Sequence, residues 1–398
     1  MNPLRQFFGL ERNIIVMLIA VIALGMGEEL WSRFIPKYLE ILGAGTWVIA
    51  SYGTLRDFLD AVYQYPGGYL ADRLGRRKAL VIFTVIAIVG YFCYLLSSHW
   101  MGILIGTVFV MAWTSLSSPA TFAIIGDSLP RQKRSMGFSV QAILKRVPIV
   151  LAPALGGVLI ASYGYREGIA IGVIITILLG FGSVLVVMRY YDDSRLGEHQ
   201  ERKIREIWKE MHPGLKRLLL ADCLIRWAEG IPNVFIVLYV INVVHAGAAE
   251  FGWLTGIKVL TSMLVYIPVA KFTESMNRKP FIILTFFFFS LFPLALVLAG
   301  GLGWMIVAFI IGGLRELGEP ARKAMIVDLA HASVRGRSVG IYYLVRGLAV
   351  FPASILGGWL WSMDARLPFI VAFGVGIIGA ITYALSRTET GSPPRIPS

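Results

Sequence analysis

Charge is scarce in this sequence: Asp, Glu, Lys and Arg make up 15% of 398 residues, against 57% that are hydrophobic. With a mean hydropathy of +0.71, the chain holds more apolar side chain than a water-soluble core can bury, which excludes a soluble enzyme or scaffold. Cysteine is almost missing. Cys93 and Cys223 both lie inside apolar runs, so neither a disulfide framework nor a metal-ligand spacing is present. The five histidines are scattered, with His99 and His245 in polar turns. No metal or cofactor is expected, and a membrane-embedded enzyme lacks a credible base. No Gly-x-x-x-x-Gly-Lys-Ser/Thr run occurs, which argues against a nucleotide-driven pump within the chain.

What is present is a series of apolar runs, each long enough to cross roughly 30 Å of hydrocarbon as a helix. Lipid offers the backbone no water, so helices are the spanning element expected. The pattern predicts spans near 13–36, 45–70, 79–98, 101–126, 137–162 and 168–188, then 217–243, 250–271, 280–300, 303–326, 338–362 and 367–386. The first run reaches Glu28, Glu29 and Trp31 without a small-residue cleavage site, and is read as span one rather than a secretory signal.

The net charge of +13 is not spread evenly. Arg73, Arg76, Arg77, Lys78, Arg131, Lys133, Arg134, Arg278, Lys279, Arg335 and Arg337 fall in alternate turns, while the opposite turns hold little beyond Lys37, Arg166 and Arg366. This positive-inside asymmetry replaces a nucleic-acid reading, and it predicts an inner-membrane protein with both termini in the cytoplasm. The polar stretch 189–216 divides an N-terminal bundle, 1–188, from a C-terminal bundle and tail, 217–398. Within it Ile204, Ile207, Trp208 and Met211 recur at helical spacing among basic residues, as in a helix resting on anionic lipid; a solvated connector is the alternative.

Sliding the chain against itself gives one offset that recurs. Glu28 and Glu229 differ by 201, as do Phe34 and Phe235, Tyr38 and Tyr239, Arg77 and Arg278, Pro119 and Pro320, Asp127 and Asp328, Lys145 and Arg346, and Gly156 and Gly357. Two copies of six spans in the same orientation imply a pseudo-twofold along the membrane normal, with a solute site between the halves near the midplane.

An ionisable group at the centre of a membrane helix costs roughly 2.5–3.5 kcal/mol on an insertion scale, so it normally faces protein or a wet cavity. Glu28, Glu29 and Arg33 lie on span one, Arg56, Asp57 and Asp60 on span two, and Lys145 and Arg146 on span five. Asp222, Arg226 and Glu229 lie on span seven, Lys258 on span eight, Arg346 on span eleven, and Arg315, Glu316, Glu319, Arg322 and Lys323 on span ten. Spans three, six, nine and twelve have none in their interiors and are expected to face lipid. Asp222, Arg226 and Glu229 share one helical face, as do Arg315, Glu319 and Lys323. Glu28, Asp57 and Glu229 are candidates for proton coupling. Glu29, Arg33, Arg56, Asp60, Lys145, Asp222, Arg226, Lys258, Arg315, Glu316, Glu319 and Arg346 are substrate-cavity candidates, with structural ion pairing as the competing role. Arg33 is poorly spaced to neutralise Glu28, whereas Arg226 stands one turn from Glu229, so Glu28 is the favoured proton carrier.

Residues 68–78 read GYLADRLGRRK, which resembles the loop between the second and third helices of the major facilitator superfamily. Gly68 and Gly75 suit close approach and a tight turn, and Asp72 suits the positive end of a helix from the other half. The resemblance implies a fold of twelve helices in two six-helix bundles, alternating access, and a cytoplasmic gate of Gly68, Asp72, Arg73, Gly75 and Arg76 with Asp127. Ala152-Pro153-Ala154-Leu155-Gly156-Gly157 resembles the end of the antiporter motif of that superfamily, with alanine for its first glycine. Pro119 and Asp127 fit its drug-antiporter pattern, but Thr107 stands where an arginine is expected. The expectation is an all-α, monomeric, proton-coupled exporter of a small organic solute, in contact with lipids and without cofactor. Proton-coupled uptake of an organic anion and lipid or lysolipid translocation are the alternatives.

Overall fold

The computed structural model describes residues 12–116, 134–192, 208, 211–275, 278–329 and 335–386. These residues are helical throughout apart from short turns, and the helices pass back and forth twelve times. Span one runs Arg12–Ile41, span two Thr46–Leu74 and span three Arg76–Leu96. Span four begins as Trp100–Met111 and continues as Ala112–Leu116. Spans five and six share the run Arg134–Tyr190, broken where Gly164 takes φ +83°. Gly75 does the same between spans two and three at φ +87°, a conformation that costs a side-chain-bearing residue and not glycine.

In the second half, span seven is Pro213–Asn233 bent by 43° into Ile236–Val243, span eight Ala248–Ser275 and span nine Arg278–Leu298. Span ten consists of Leu302–Leu314 and Glu319–Asp328, span eleven of Arg335–Val350 and Ala353–Met363, and span twelve is Leu367–Leu385. By length and apolar content alone, six of the described helices qualify as membrane spans, or seven with the bent pair. Span two carries Arg56, Asp57 and Asp60, and spans four and ten are interrupted, so a hydropathy test undercounts the helices that turn polar faces inward.

Irregular backbone recurs at repeat-related places in spans one and seven and in spans four and ten. Span one passes through a 3-10 turn at Ser32–Phe34, and span seven bends at the repeat-related residues 233–235. Span four takes π geometry at Ala112–Leu116, and span ten unwinds over the related 315–318. Non-helical backbone at membrane depth is tolerated where protein or a wet cavity satisfies it.

The repeat is visible in the packing. A methyl group on Gly156 would lie 1.7 Å from the Leu30 carbonyl oxygen, and one on Gly357 would lie 2.0 Å from that of Ile231. Gly156 and Gly357 are 201 residues apart, as are Leu30 and Ile231. Across the halves, Gly157 of span five meets the carbonyl of Ala248 on span eight, and Gly358 of span eleven meets Ala50 on span two. These close approaches lie at the end of the bundle remote from the basic turns. There Lys37 Nζ donates to Asn242 Oδ1 at 2.6 Å, and Asn242 Nδ2 donates to Glu40 Oε1 at 2.8 Å, joining spans one and seven.

Spans three, six, nine and twelve carry apolar side chains outward, including Val85 and Val89, Leu178 and Leu185, Leu284 and Phe287, and Ile378 and Ile381. Span three is not wholly a lipid-facing helix, because its inner face brings Tyr91 and Tyr94 to the polar interior.

Candidate functional site

The interior charges divide into two clusters of different character. In the N-terminal half, a cavity of about 320 Å³ is lined by Glu28, Glu29, Asp57, Asp60 and Arg56 together with Trp31, Tyr52, Tyr94 and Thr107. Glu28, 9% exposed, accepts a 2.5 Å hydrogen bond from the Tyr91 hydroxyl. Among the described residues no cation stands within ion-pairing distance of Glu28 or Asp57. Arg33 closes on its own-helix neighbour Glu29 at 2.9 Å, the i, i+4 partner on one face. Asp60 accepts from Ser115 Oγ at 2.8 Å. Arg56 lies 5.8 Å from the centroid of the Tyr52 ring.

Around these acids the hydroxyls form a directed chain. Thr107 donates to the Ile103 carbonyl, which leaves the Tyr94 hydroxyl as donor in the 2.7 Å contact between Tyr94 and Thr107. Trp31 donates from Nε1 to Thr176 Oγ1 on span six at 2.9 Å, and its ring meets Tyr91 and Tyr94 edge-on at 6.0 and 5.2 Å. This aromatic wall carries no ionisable group at neutral pH and so does not stand out in the sequence as the acids do. Its signal was the pair Tyr91 and Tyr94 at i, i+3 on an otherwise apolar helix, one face by helical geometry. Thr107, which stands where an arginine was expected, is a buried cavity residue.

The C-terminal half holds a closed ion network. Asp222, 1% exposed, receives Arg322 at 2.5 Å, Arg346 at 3.3 Å and the Tyr342 hydroxyl at 2.8 Å. Arg226 bridges Glu229 at 2.7 Å and Glu319 at 2.8 Å. Arg315 pairs with Glu229 at 3.0 Å, and Arg322 also holds Glu319 at 2.8 Å. The expected face of Asp222, Arg226 and Glu229 therefore forms. The expected face of Arg315, Glu319 and Lys323 does not: the break at 315–318 destroys the i, i+4 register, Arg315 turns to span seven, and Lys323 is exposed. Arg346 pairs with Asp222 and not with Glu229. Arg146 of span five reaches Glu316 at 3.1 Å and Ser262 at 2.8 Å, tying the halves together.

Phenylalanines complete the cationic side. The Phe289 ring lies between Arg226 and Arg315, at 5.1 and 5.0 Å from its centroid. Lys258 sits over Phe292 and Phe309 at 5.8 and 6.0 Å, and among the described residues it has no carboxylate within 4 Å. In a dry setting an aromatic face contributes on the order of 2 kcal/mol to a cation.

Of the gate candidates, Gly75 forms the predicted turn and Arg73 reaches the Tyr69 hydroxyl at 3.4 Å. Arg76 opens span three, and Gly68 lies within span two. Asp127, the Asp72 and Lys145 side chains, and most of the linker helix lie outside the described residues.

Twelve helix passages in two repeat-related sets, with ionisable groups buried between them, define a multi-pass membrane transporter. The chain belongs to the Major Facilitator Superfamily, whose family model matches residues 17–222 and again 218–398. It is 21% identical over 393 residues to an uncharacterised MFS-type transporter of Methanocaldococcus jannaschii, covering 94% of each chain. It is 25% identical over 362 residues to the multidrug resistance protein MdtH of Photorhabdus laumondii, covering 88% of this chain and 87% of the relative. Among solved structures, a POT family transporter in complex with a thioalcohol-conjugated peptide superposes with a TM-score of 0.79 at 15% identity, over 95% of this chain and 96% of the other. The nucleoside transporter NupG superposes with a TM-score of 0.78 at 10% identity, over 93% and 98%. These likenesses establish the transporter fold.

Proposed function

We propose that the chain exports a small organic solute across the inner membrane in exchange for protons, by alternating access, as a monomer with both termini in the cytoplasm. The supporting observation is the contrast between halves. Asp222, Glu229 and Glu319 are each held by two or more arginines, whereas Glu28 faces a tyrosine hydroxyl and Asp57 borders the cavity. An acid locked between guanidinium groups keeps its partners when the halves rock. An acid bordering the cavity changes its surroundings when the cavity opens, and a proton couples to a conformational change only through such a difference.

Glu28 is accordingly the carrier, with Asp57 next, and Glu229 belongs to the fixed frame. Export as the direction draws on the likeness to MdtH, named a multidrug resistance protein. Residues 1–188 and 217–398 are the moving bodies, and Asp72, Arg73, Gly75, Arg76 and Asp127 form the cytoplasmic latch. Uptake of an organic anion is the second reading, favoured by Lys258 and its lack of a carboxylate partner.

Flux of a solute panel in proteoliposomes under an imposed pH gradient tests both direction and coupling. Glu28→Gln is expected to keep solute binding and exchange while losing accumulation driven by the gradient. Gradient-driven flux at the wild-type level and pH profile in that variant would remove Glu28 from the mechanism.

A further inference from the structure

The two clusters differ in net charge as well as in order. With Arg33 closed on Glu29, the described side chains of the N-terminal cavity keep Glu28, Asp57 and Asp60 against Arg56, three acids to one base and a surplus of two negative charges among them. On the C-terminal side Asp222, Glu229 and Glu319 meet Arg226, Arg315, Arg322 and Arg346. Lys258 adds a fifth cation to three acids, a surplus of two positive charges. Arg146 and Glu316 cancel. Among the described side chains the N-terminal cluster is therefore net negative and the C-terminal cluster net positive, and in a low-dielectric interior such a field selects for a ligand with the opposite arrangement.

Of the charges that form no ion pair among the described residues, Glu28 and Asp60 are held by hydroxyls and Arg56 lies against Tyr52, which leaves Asp57 and Lys258. Asp57 is faced by Arg56, Glu229 and Asp60. Lys258 is faced by Arg315, Arg33, Glu229 and Glu29. They do not reach each other, yet both lie in the field of Glu229, whose own charge is taken up by Arg226 and Arg315. Asp57 and Glu29 both line the cavity, Glu29 also acts on Lys258, and the charges of Glu29 and Glu229 are taken up by Arg33 and Arg315. A purely cationic solute would leave Lys258 uncompensated, and a purely anionic one would leave Asp57 so. A buried charge without a partner is costly, so either solute uses only part of the site.

We infer that the transported solute is a zwitterion, its ammonium group held at Asp57 and its carboxylate or other anionic group held at Lys258. This rests on the proposal that the interface between the halves is the solute path, and it names the class of solute that path takes. It is independent of proton coupling, because complementarity of this kind is expressed in equilibrium binding without any gradient. The phenyl rings of Phe292 and Phe309 under Lys258 and the Tyr52 and Trp31 walls of the cavity favour an aromatic or planar body between the two charged ends.

The test uses the full-length protein purified in detergent, with ligand binding read as thermal stabilisation and as direct displacement of a bound radiolabelled probe. The probes are α,ω-amino acids with a phenylene ring and increasing numbers of methylenes, each matched by the diamine and the dicarboxylate of the same length. An amino acid of one preferred length is expected to bind at least about tenfold more tightly than both matched compounds. Lys258→Met is expected to abolish that preference over the diamine while Lys258→Arg retains it, and Asp57→Asn to abolish the preference over the dicarboxylate. Equal or tighter binding of the diamine series would show a cation site, and of the dicarboxylate series an anion site; either outcome overturns the inference, as does a series in which no amino acid binds. Failure of the proton-coupling proposal reads out separately, as loss of gradient dependence with zwitterion selectivity intact.

Discussion

Glu28 and Glu229 occupy the same place in the two copies of the repeat, and their surroundings have diverged completely. One faces a tyrosine hydroxyl, the other two guanidinium groups. The energetic consequence is largest at Asp222, where three arginines and Tyr342 converge on a carboxylate that is 1% exposed. Neutralising it leaves Arg322, itself 2% exposed, with only Glu319 for compensation, and breaking a buried pair from one side costs about 3–5 kcal/mol. Asp222→Asn is thus expected to lower the thermal midpoint in detergent sharply, whereas Glu28→Gln, which breaks no ion pair, shifts it little; equal midpoints for both would show that the network carries no stability. The residue types were legible in the sequence, because an ionisable side chain in an apolar run stands out against its cost. Their pairing was not, since Asp222 and Arg322 are 100 residues apart and meet only when spans seven and ten pack. Tyr91 and Tyr94 went unread for the opposite reason: a tyrosine in a membrane helix has no comparable cost and so sends no comparable signal.

At the level of the helix, span ten shows why a regular pattern misled. Arg315, Glu319 and Lys323 have helical spacing, but the chain unwinds at 315–318 before a new helix starts with proline among its first residues, where the missing N–H costs nothing. The break is anchored rather than loose. The Gly318 N–H donates to Thr285 Oγ1 of span nine at 2.5 Å, and a methyl on Gly318 would lie 2.3 Å from the Phe281 carbonyl oxygen. Thr285→Val keeps the shape and strands a buried N–H, a loss of about 1–3 kcal/mol. The expected readouts are a lower thermal midpoint and faster hydrogen exchange confined to 315–322; an unchanged exchange pattern would mean the break is held by other contacts. Periodicity located span ten correctly and could not locate its interruption, because the anchoring hydroxyl comes from a different helix.

For the whole molecule, the informative feature is where the two halves touch. Gly157 against the Ala248 backbone and Gly358 against the Ala50 methyl bring the helices into close approach at the end remote from the basic turns, and the Lys37, Asn242 and Glu40 hydrogen bonds close the same end. The sequence repeat predicted the symmetry of these contacts but not which end they would hold shut, because one set of helices serves both states of an alternating cycle. Contacts of this kind hold only while that end is closed, so adding bulk there acts on one state and spares the other. A methyl on Gly157 would already stand 2.4 Å from the Ala248 carbonyl oxygen, and overpacking of a tight contact costs about 1–3 kcal/mol. A penalty of that size on one state of a two-state equilibrium changes the ratio of the states by about fivefold to 150-fold. Gly157→Leu is therefore expected to populate the state open at the remote end. Spin labels at Tyr163 and Trp253, which are exposed near the tips of spans five and eight, should report a longer distance in the variant, with the population of that longer distance growing at the expense of the shorter. A distance distribution identical to that of the unsubstituted protein would mean that the span five and span eight contact persists through the cycle and is a hinge, not a gate.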